Sequence, residues 1–307
     1  MPNSPIVIFA FNRPAHLSRL LESLKLNDAI VDSQIYFYID GPRGEKDNFL
    51  VDEVSKVAQK FGRNYPVKIK KSQENMGLAA SILQGLNELF QTHDTLIVLE
   101  DDLILGRHFL DFCNDGLDKY KDNHEIGSIQ GYSLIQDESD KPYFLRGADC
   151  WGWATWKNRW ELFCPDSKEM LSALEKTNQS FEFDLRGSYP YTNMLRREAQ
   201  GEVNSWAIRW HASMFLNNKI SLYPGKSLVE NGGFDGSGTH YSSGDRGISQ
   251  PTDKRIQMPQ QNPTVEEEIL RKIIRETRQK YRIYPCYHPF KYIYAFKRRF
   301  RIISRQS

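Results

Sequence analysis

Hydrophobic and polar positions alternate in a regular order over the first hundred residues. Four short apolar runs predict buried strands, and they are Pro5–Phe11, Gln34–Ile39, Val67–Ile69 and Thr95–Leu99. Apolar residues at helical spacing predict three amphipathic helices between and around them, within 17–24, 51–61 and 78–89. This alternation predicts an α/β fold in which a mostly parallel sheet is flanked by helices on both faces.

The second half of the chain has a less regular pattern. A tryptophan-rich stretch covers 151–160, a helix is predicted over Ser205–Leu216, and residues 230–250 are rich in glycine and serine, which is typical of a long loop. Three prolines within 251–264 predict a linker, and a helix over Val265–Tyr281 precedes a basic aromatic tail. These patterns divide the chain into a domain at 1–250, with halves at 1–103 and 104–250, a linker at 251–264 and a helical tail at 265–307.

Polar side chains follow three of the four predicted strands. They are Asn12-Arg13, Asp40-Gly41 and the triplet Glu100-Asp101-Asp102. In open α/β sheets, ligands bind beyond the carboxyl ends of the strands, so this edge is the predicted binding site. Three adjacent carboxylates repel one another unless a cation compensates them, and a divalent ion with oxygen ligands does so while bridging to phosphates. Solvated acids at a strand end are the alternative.

Two further features near this edge have both a functional and a plain structural interpretation. Asp40 could accept a hydrogen bond from a nucleobase, or it could be the turn residue of an Asp-Gly-Pro sequence. The segment Asn75–Ser81 opens the third helix, where Asn75, Gly77 and free N–H groups could face an anion or simply form a cap. The glycine pattern of a dinucleotide fold and that of a phosphate loop are both absent from the sequence.

Charge along the 307 residues is unevenly distributed. The net charge is only +2, which gives no global nucleic-acid signature, but from Arg271 onward there are 12 Lys+Arg against one acid. In the tail, basic residues interleave with tyrosine and phenylalanine, which suits an anionic membrane surface contacted through 281–305. Docking of this tail on the acidic body and binding of another polyanion are the alternatives.

The sequence gives no indication of secretion or of a membrane span. The start MPNSPIVIFAFNRP lacks a basic region and a cleavage site, and no apolar run is long enough to cross a bilayer. The four cysteines show no metal-binding or disulfide spacing. We therefore expect a cytoplasmic protein, which the basic tail could attach to the cytoplasmic face of the membrane.

The four motifs PIVIFAFNRP, IYFYIDGP, ENMGLAAS and LIVLEDDL, in this order, resemble the nucleotide-sugar-binding half of GT-A glycosyltransferases. The family-2-like bacterial sugar transferases are the nearest group. The segments LRGADCWGWATW and SWAIRW are also similar to Golgi N-acetylglucosaminyltransferases with a Glu-Asp-Asp metal motif. The resemblance covers about residues 4–245 and implies a GT-A fold, with donor binding in 1–103 and acceptor binding in 104–250.

The resemblance also implies roles for individual residues. Its nucleotide-pocket residues are Phe11, Asn12 and Arg13, with Asp40 on the base, which would be uracil. Asp101 would lie near the ribose or donor sugar, Glu100 would support the site, and Asp102 would bind Mn²⁺ or Mg²⁺ through the diphosphate. His240 in the glycine-rich loop would be a further metal ligand. The acceptor platform would be Trp151, Gly152 and Trp153, because indole rings pack against the apolar faces of sugars.

The general base is not identified by the resemblance. Inverting transfer needs a group that takes the proton of the acceptor hydroxyl. Related enzymes have an acid in the helix that begins at SWAIRW, whereas this chain has Ala207 there. Asp149, Glu202 and Asp235 are the candidates, with Asp149 first because it precedes the supposed platform. Inversion is favoured by the family, and the alanine leaves retention open.

Together with the strand-end acids, the resemblance implies a metal-dependent hexosyl- or N-acetylhexosaminyltransferase. It would move a sugar from a nucleotide-diphosphate donor, UDP-linked, to a glycan or lipid-linked glycan in bacterial surface polysaccharide synthesis. A nucleotidyltransferase is one alternative, although FNRPAH follows the first strand where a glycine-rich phosphate loop is expected. A non-catalytic glycan- or membrane-binding module with the same fold is the other. No nucleic-acid partner is predicted.

Overall fold

A computed structural model describes residues 3–135, 140–235 and 250–281. The regular first part of the chain forms the strands and helices that its pattern predicts. The strands are β1 (Ile6–Ala10), β2 (Ile35–Ile39), β3 (Val67–Lys71) and β4 (Thr95–Glu100). The helices are α1 (Pro14–Leu24), α2 (Glu45–Phe61) and α3 (Leu78–Leu89). Pro14 begins α1 because its fixed φ suits the first helical turn, where the missing N–H costs nothing.

The remaining elements are shorter. The strands are β5 (Leu103–Leu105), β6 (Ile126–Gln130), β7 (Tyr143–Arg146), β8 (Trp153–Trp156), β9 (Ile220–Tyr223) and β10 (Val229–Asn231). The helices are α4 (Phe109–Lys119), α5 (Lys157–Trp160), α6 (Ser167–Lys176), α7 (Ser180–Phe183), α8 (Tyr191–Ala199), α9 (Trp206–Leu216) and α10 (Glu267–Tyr281). The predicted helix over Ser205–Leu216 is confirmed, and the Ser205 hydroxyl caps it by accepting from the Ile208 N–H.

The central sheet has eight strands in the order β3-β2-β1-β4-β8-β6-β9-β7. The first four are parallel, so the residues that follow β1, β2 and β4 meet at one edge, as predicted. The half beyond β4 is mixed, because β8 runs antiparallel to both β4 and β6. Strand β5, which comes shortly after β4 in the chain, pairs antiparallel with β10 in a separate two-stranded sheet.

Four tryptophans form the centre of one hydrophobic core. Trp153 on β8 contacts Trp206 and Trp210 of α9 at ring-centroid distances of 5.7 and 5.2 Å, and Trp160 contacts Trp210 at 5.3 Å. All four are at most 5% exposed. Each ring buries a large apolar area, so this cluster fixes α9 against the sheet.

The segment 251–264, predicted to be a linker, has neither helix nor strand but packs against the body. Ile256 is 3% exposed within the main core, and the Arg107 N–H donates to Asp253 at 3.1 Å. Helix α10 then continues into another buried cluster, where Ile273 is fully buried beside Tyr143 and Tyr223. Residues up to 281 are therefore part of the packed body, whereas the tail beyond them lies outside the described residues.

Within the described ranges, no helix combines the length and the apolar character that crossing a bilayer would require.

Candidate functional site

Arg13 joins two of the three polar strand ends. Its guanidinium donates to Asp101 and lies 3.2 Å from an oxygen of Asp102. Asp101 is only 2% exposed, and the Phe11 N–H also points at its carboxylate, at 3.4 Å. Burial raises the pKa of Asp101 to about 6 while Arg13 acts in the opposite direction, so the carboxylate is ionised at neutral pH. The structure therefore places Asp101 under Arg13, as the group that holds the guanidinium in position.

Glu100 and Asp102 differ from Asp101 because both line a cavity above the sheet edge. Burial raises the pKa of Glu100 to about 8, and the negative charges of Asp102 and Asp101 add to this effect. Glu100, Asp102 and Arg13 thus line the same cavity, so acidic and basic side chains lie side by side there. This edge can contact an anionic ligand and can hold or release a proton near it.

Asp40 has a different role from the predicted contact with a nucleobase. One of its oxygens accepts from the N–H groups of Gly41 and Met76, and the other accepts from Asn75 Nδ2 and the Gly77 N–H. All four distances are 2.8–2.9 Å, the residue is 6% exposed and it does not line the cavity. Asp40 thus fixes the loop that places Asn75 and Gly77 in the cavity wall, and its contact with a nucleobase stays a prediction.

Phe11 and Asn12 are also placed away from the cavity lining. The Asn12 amide donates to Asp47 at 2.8 Å, and the Phe11 ring packs on the core with the Arg43 guanidinium 4.8 Å from its centre. Arg43 itself lines the cavity. Phe11 therefore contributes to the cavity indirectly, because its ring packs against the Arg43 guanidinium. The predicted direct contact of Phe11 and Asn12 with a nucleotide is not part of this arrangement.

The cavity has a volume of about 990 Å³. Residues 1–103 contribute Arg13, Arg43, Asn75, Gly77, Glu100 and Asp102 to its lining. Later elements contribute Tyr132, Asp149, Trp151, Tyr189, Tyr191 and His211. Helix α10 adds Glu276, Thr277 and Lys280. Charged groups and aromatic rings thus share one concave site of the size that small organic ligands occupy.

The predicted acceptor platform is only partly placed in this cavity. Trp151 lines it and packs edge-on against Tyr132, with ring centroids 4.7 Å apart. Trp153 is fully buried in the tryptophan core, which contradicts the predicted sugar contact. Gly152 has a φ of +62°, and a Cβ there would lie 2.9 Å from Val229, so its glycine is required by the backbone and by packing. The predicted role of Gly152 in approaching a sugar is corrected accordingly.

Of the acids predicted as bases whose side chains the structure describes, Asp149 is the one that lines the cavity. Its Oδ1 accepts from the Cys150 N–H at 2.7 Å, and burial raises its pKa. Glu202 is exposed, pairs with Arg197 at 2.9 Å and does not line the cavity, which contradicts a direct role. Asp235 ends a short 3-10 turn of which only the backbone is described, and His240 lies outside the described residues.

Several lining residues were not predicted from the sequence, and His211 is the most unusual of them. It lies on α9 one turn after Ala207, which also lines the cavity. Residues four positions apart share a face of a helix, so the position of Ala207 could have indicated His211 from the sequence. Burial lowers the pKa of His211 to about 4. The ring is therefore neutral at physiological pH.

The buried neutral histidine should make the fold sensitive to acid. An unfolded histidine titrates near 6.5, so stability is fully present above that pH and is lost as pH falls towards the folded pKa of about 4. Between about pH 7 and about pH 5 we expect this group alone to cost roughly 2 kcal/mol of unfolding free energy. Urea unfolding of wild type and His211→Asn at both pH values measures it. Equal losses in the two proteins would contradict the prediction.

The predicted metal site was tested against the donor set. Among the residues that the structure describes, no group of three or more His, Cys, Asp or Glu side chains is arranged to hold a metal ion. Asp101 and Asp102 both face Arg13, which already supplies a positive charge between them. The described side chains thus do not by themselves form a site for Mn²⁺ or Mg²⁺, and the predicted ligand His240 is not among them.

Comparison with known proteins gives little beyond this description. No protein-family model matches the chain. Among solved structures, the chain is similar to the crystal structure of GalNAc-T7 with UDP, GalNAc and Mn²⁺, with a TM-score of 0.37 and 13% sequence identity. The similarity covers 52% of this chain and 36% of that one. The chain thus spans little more than a third of that protein, and a likeness of this size carries no inference about activity.

Proposed function

We propose that this chain is a glycosyltransferase that transfers a sugar from a nucleoside-diphosphate donor, of the UDP type, to a glycan acceptor. The observation that carries the proposal is one cavity at the carboxyl ends of parallel strands, where an acid-held arginine and a set of aromatic rings line the same space. The motif order from PIVIFAFNRP to LIVLEDDL supports the same activity.

Donor binding is assigned to the strand-end side of the cavity. Arg13 and Arg43 supply cations for a diphosphate, and Asn75 and Gly77, whose N–H groups donate to Asp40, form the cavity wall beside them. Arg13 is suited to this task because Asp101 fixes its guanidinium before a ligand arrives. A preorganised cation stabilises the charge that develops on a leaving diphosphate without a cost of reorganisation.

Acceptor binding is assigned to the aromatic side. Trp151 is braced by Tyr132, and Tyr191 and Tyr189 line the same cavity with ring centroids 4.5 Å apart. Sugars present apolar C–H faces together with hydroxyl groups, so flat rings beside polar groups form a suitable platform. Asp149 adds an acid at this side, next to the platform.

The finer parts of the proposal come from the resemblance in sequence. They are an inverting hexosyl or N-acetylhexosaminyl transfer, a lipid-linked or surface-polysaccharide acceptor, and contact of the basic tail with an anionic membrane. A divalent cation also belongs to this set, with Asp102 as the carboxylate that faces the cavity. No step of the reaction is assigned to that cation.

Release of UDP tests the proposal. Purified protein is incubated with UDP-hexoses and UDP-N-acetylhexosamines, a panel of methyl glycosides, and Mn²⁺ or EDTA. We expect release by wild type and a loss of about 100-fold or more in Arg43→Ala, because a cation that stabilises the charge developing on a leaving diphosphate has an effect of this size. Lys121→Ala is the matched control, since Lys121 is an exposed cation that pairs with Asp118 away from the cavity.

The outcomes of this assay separate the alternatives. UDP binding in calorimetry without release on any acceptor would favour a non-catalytic module with the same fold. Failure of wild type to bind UDP at all would overturn the proposed function. Equal rates in Mn²⁺ and EDTA would remove the cation from the proposal and leave the transfer.

A further inference from the structure

His211 has one nitrogen without a partner. The residue is 7% exposed, its Nδ1 lies 2.8 Å from the carbonyl oxygen of Ala148, and its Nε2 is buried with no hydrogen-bond partner. Of the described side chains that bury an unpartnered polar atom, His211 is the one that also lines the cavity. A buried acceptor without a donor costs free energy, so it needs an explanation.

The hydrogen bond to Ala148 fixes the state of the ring. A carbonyl oxygen can only accept, so Nδ1 carries the hydrogen and Nε2 of the neutral ring holds a free lone pair. The Ala148 N–H also points at Nδ1, at 3.3 Å, a hydrogen bond that requires Nδ1 without hydrogen; the shorter contact of 2.8 Å with the carbonyl oxygen favours the tautomer with the hydrogen on Nδ1. At neutral pH His211 is therefore an acceptor at Nε2.

The surrounding backbone and rings are built around this histidine. Gly147 has a φ of +93°, and a Cβ at that position would lie 2.5 Å from His211 Cε1. Tyr191 stacks on the imidazole with a centroid distance of 4.2 Å and an interplanar angle of 24°, and Phe183 lies 5.1 Å away. The ring is thus held in one orientation at the aromatic side of the cavity.

We propose that His211, rather than Asp149, accepts the proton of the acceptor hydroxyl, with Nε2 as the accepting atom. This proposal rests on the proposed function. Asp149 is less suited because the Cys150 N–H already occupies Oδ1 and because burial disfavours its ionised form. The lone pair of His211 has no competing donor among the described residues.

The acceptor oxygen forms a bond to the anomeric carbon of the donor while its proton moves to Nε2. The bond between that carbon and the diphosphate oxygen breaks, and the electron pair leaves with the nucleoside diphosphate. The imidazolium then returns its proton to water. Burial lowers the pKa of His211 to about 4, so at neutral pH the imidazole is in the unprotonated form that can accept a proton.

Asparagine at position 211 is the decisive substitution. Its amide nitrogen replaces Nδ1 as a donor to Ala148, whereas nothing replaces Nε2. We expect His211→Asn to bind UDP as wild type does and to lower kcat by about 100-fold or more, the range of general-base catalysis. Asp149→Asn should raise KM for the acceptor, because Asp149 lines the acceptor side, and should leave kcat within about tenfold of wild type, because its carboxylate is not the base. His124→Asn is the matched control, because His124 is exposed and away from the cavity.

The results distinguish failure of this proposal from failure of the proposed function. Suppose that wild type transfers sugar. If His211→Asn is then as active as wild type, or if Asp149→Asn loses more of kcat than His211→Asn does, the assignment of His211 as the base is overturned and the proposed transferase activity still stands. If His211→Asn no longer binds UDP or melts far below wild type, nitrogen-resolved NMR of the wild type decides instead.

If wild type transfers no sugar, the proposed function itself fails. The state of His211 is then decided by the same NMR measurement. The expected spectrum has a protonated Nδ1 and an unprotonated Nε2 whose signal shifts when methyl glycosides are added with UDP. A protonated Nε2, or an Nε2 signal that no glycoside moves, overturns the assignment.

Discussion

Replacing Arg13 with leucine should destabilise the fold by about 3–5 kcal/mol and abolish UDP binding. Asp101 is 2% exposed, and its carboxylate depends on the Arg13 guanidinium for compensation. Without that partner, a buried negative charge remains, or the carboxyl group must take up a proton to fold. Urea unfolding measures the first effect, and calorimetric titration with UDP measures the second.

A second substitution separates the structural role of Arg13 from its role in binding. Asp101→Asn has nearly the same shape and removes the buried charge, so the double variant Arg13→Leu/Asp101→Asn should recover most of the lost stability. It should still fail to bind UDP, because the cation for the diphosphate is absent. A double variant that binds UDP normally would exclude Arg13 as a donor ligand.

The exposed pair of Lys121 and Asp118 provides the control for this cycle. Both side chains are about half exposed, at 46% and 59%. Lys121→Leu should therefore change the unfolding free energy by less than about 1 kcal/mol. If Arg13→Leu behaves like Lys121→Leu, the strand-end pair does not have the structural role that its burial indicates.

The first half of the fold could be predicted from the sequence because its pattern is periodic. Strand and helix spacing predicted β1 to β4, and parallel strands must bring their carboxyl ends to one edge. This is why Arg13 and the Glu100-Asp101-Asp102 triplet meet although they are almost ninety positions apart. The chemistry of the edge followed from topology rather than from any single motif.

The second half could not be predicted in the same way. Strand β8 inserts antiparallel between β4 and β6, and no local pattern specifies that neighbour. Trp151 and Trp153 have the same residue type and lie two positions apart, yet one lines the cavity and the other is fully buried. Helix α9 is buried on nearly all sides, so its periodicity could not show that His211 faces a site.

Asp40→Ala should lower the unfolding free energy by about 2–4 kcal/mol and weaken UDP binding at the same time. The carboxylate accepts four hydrogen bonds, three of them from the segment Asn75–Gly77, and each buried donor left without a partner costs about 1–3 kcal/mol. Solvent can reach part of this segment, which keeps the total below the simple sum. The affinity falls because Asn75 and Gly77 line the cavity.

Asp40→Asn distinguishes this role from contact with a nucleobase. The amide keeps one accepting oxygen but turns a donor towards N–H groups of the loop, so stability should fall and UDP and CDP should lose affinity by similar factors. A residue that accepted from the uracil N–H would instead change the preference between UDP and CDP and leave the unfolding free energy unchanged. Urea unfolding with titrations of both nucleotides decides between the two roles, and Asp118→Ala, which removes an exposed carboxylate, should alter neither measurement.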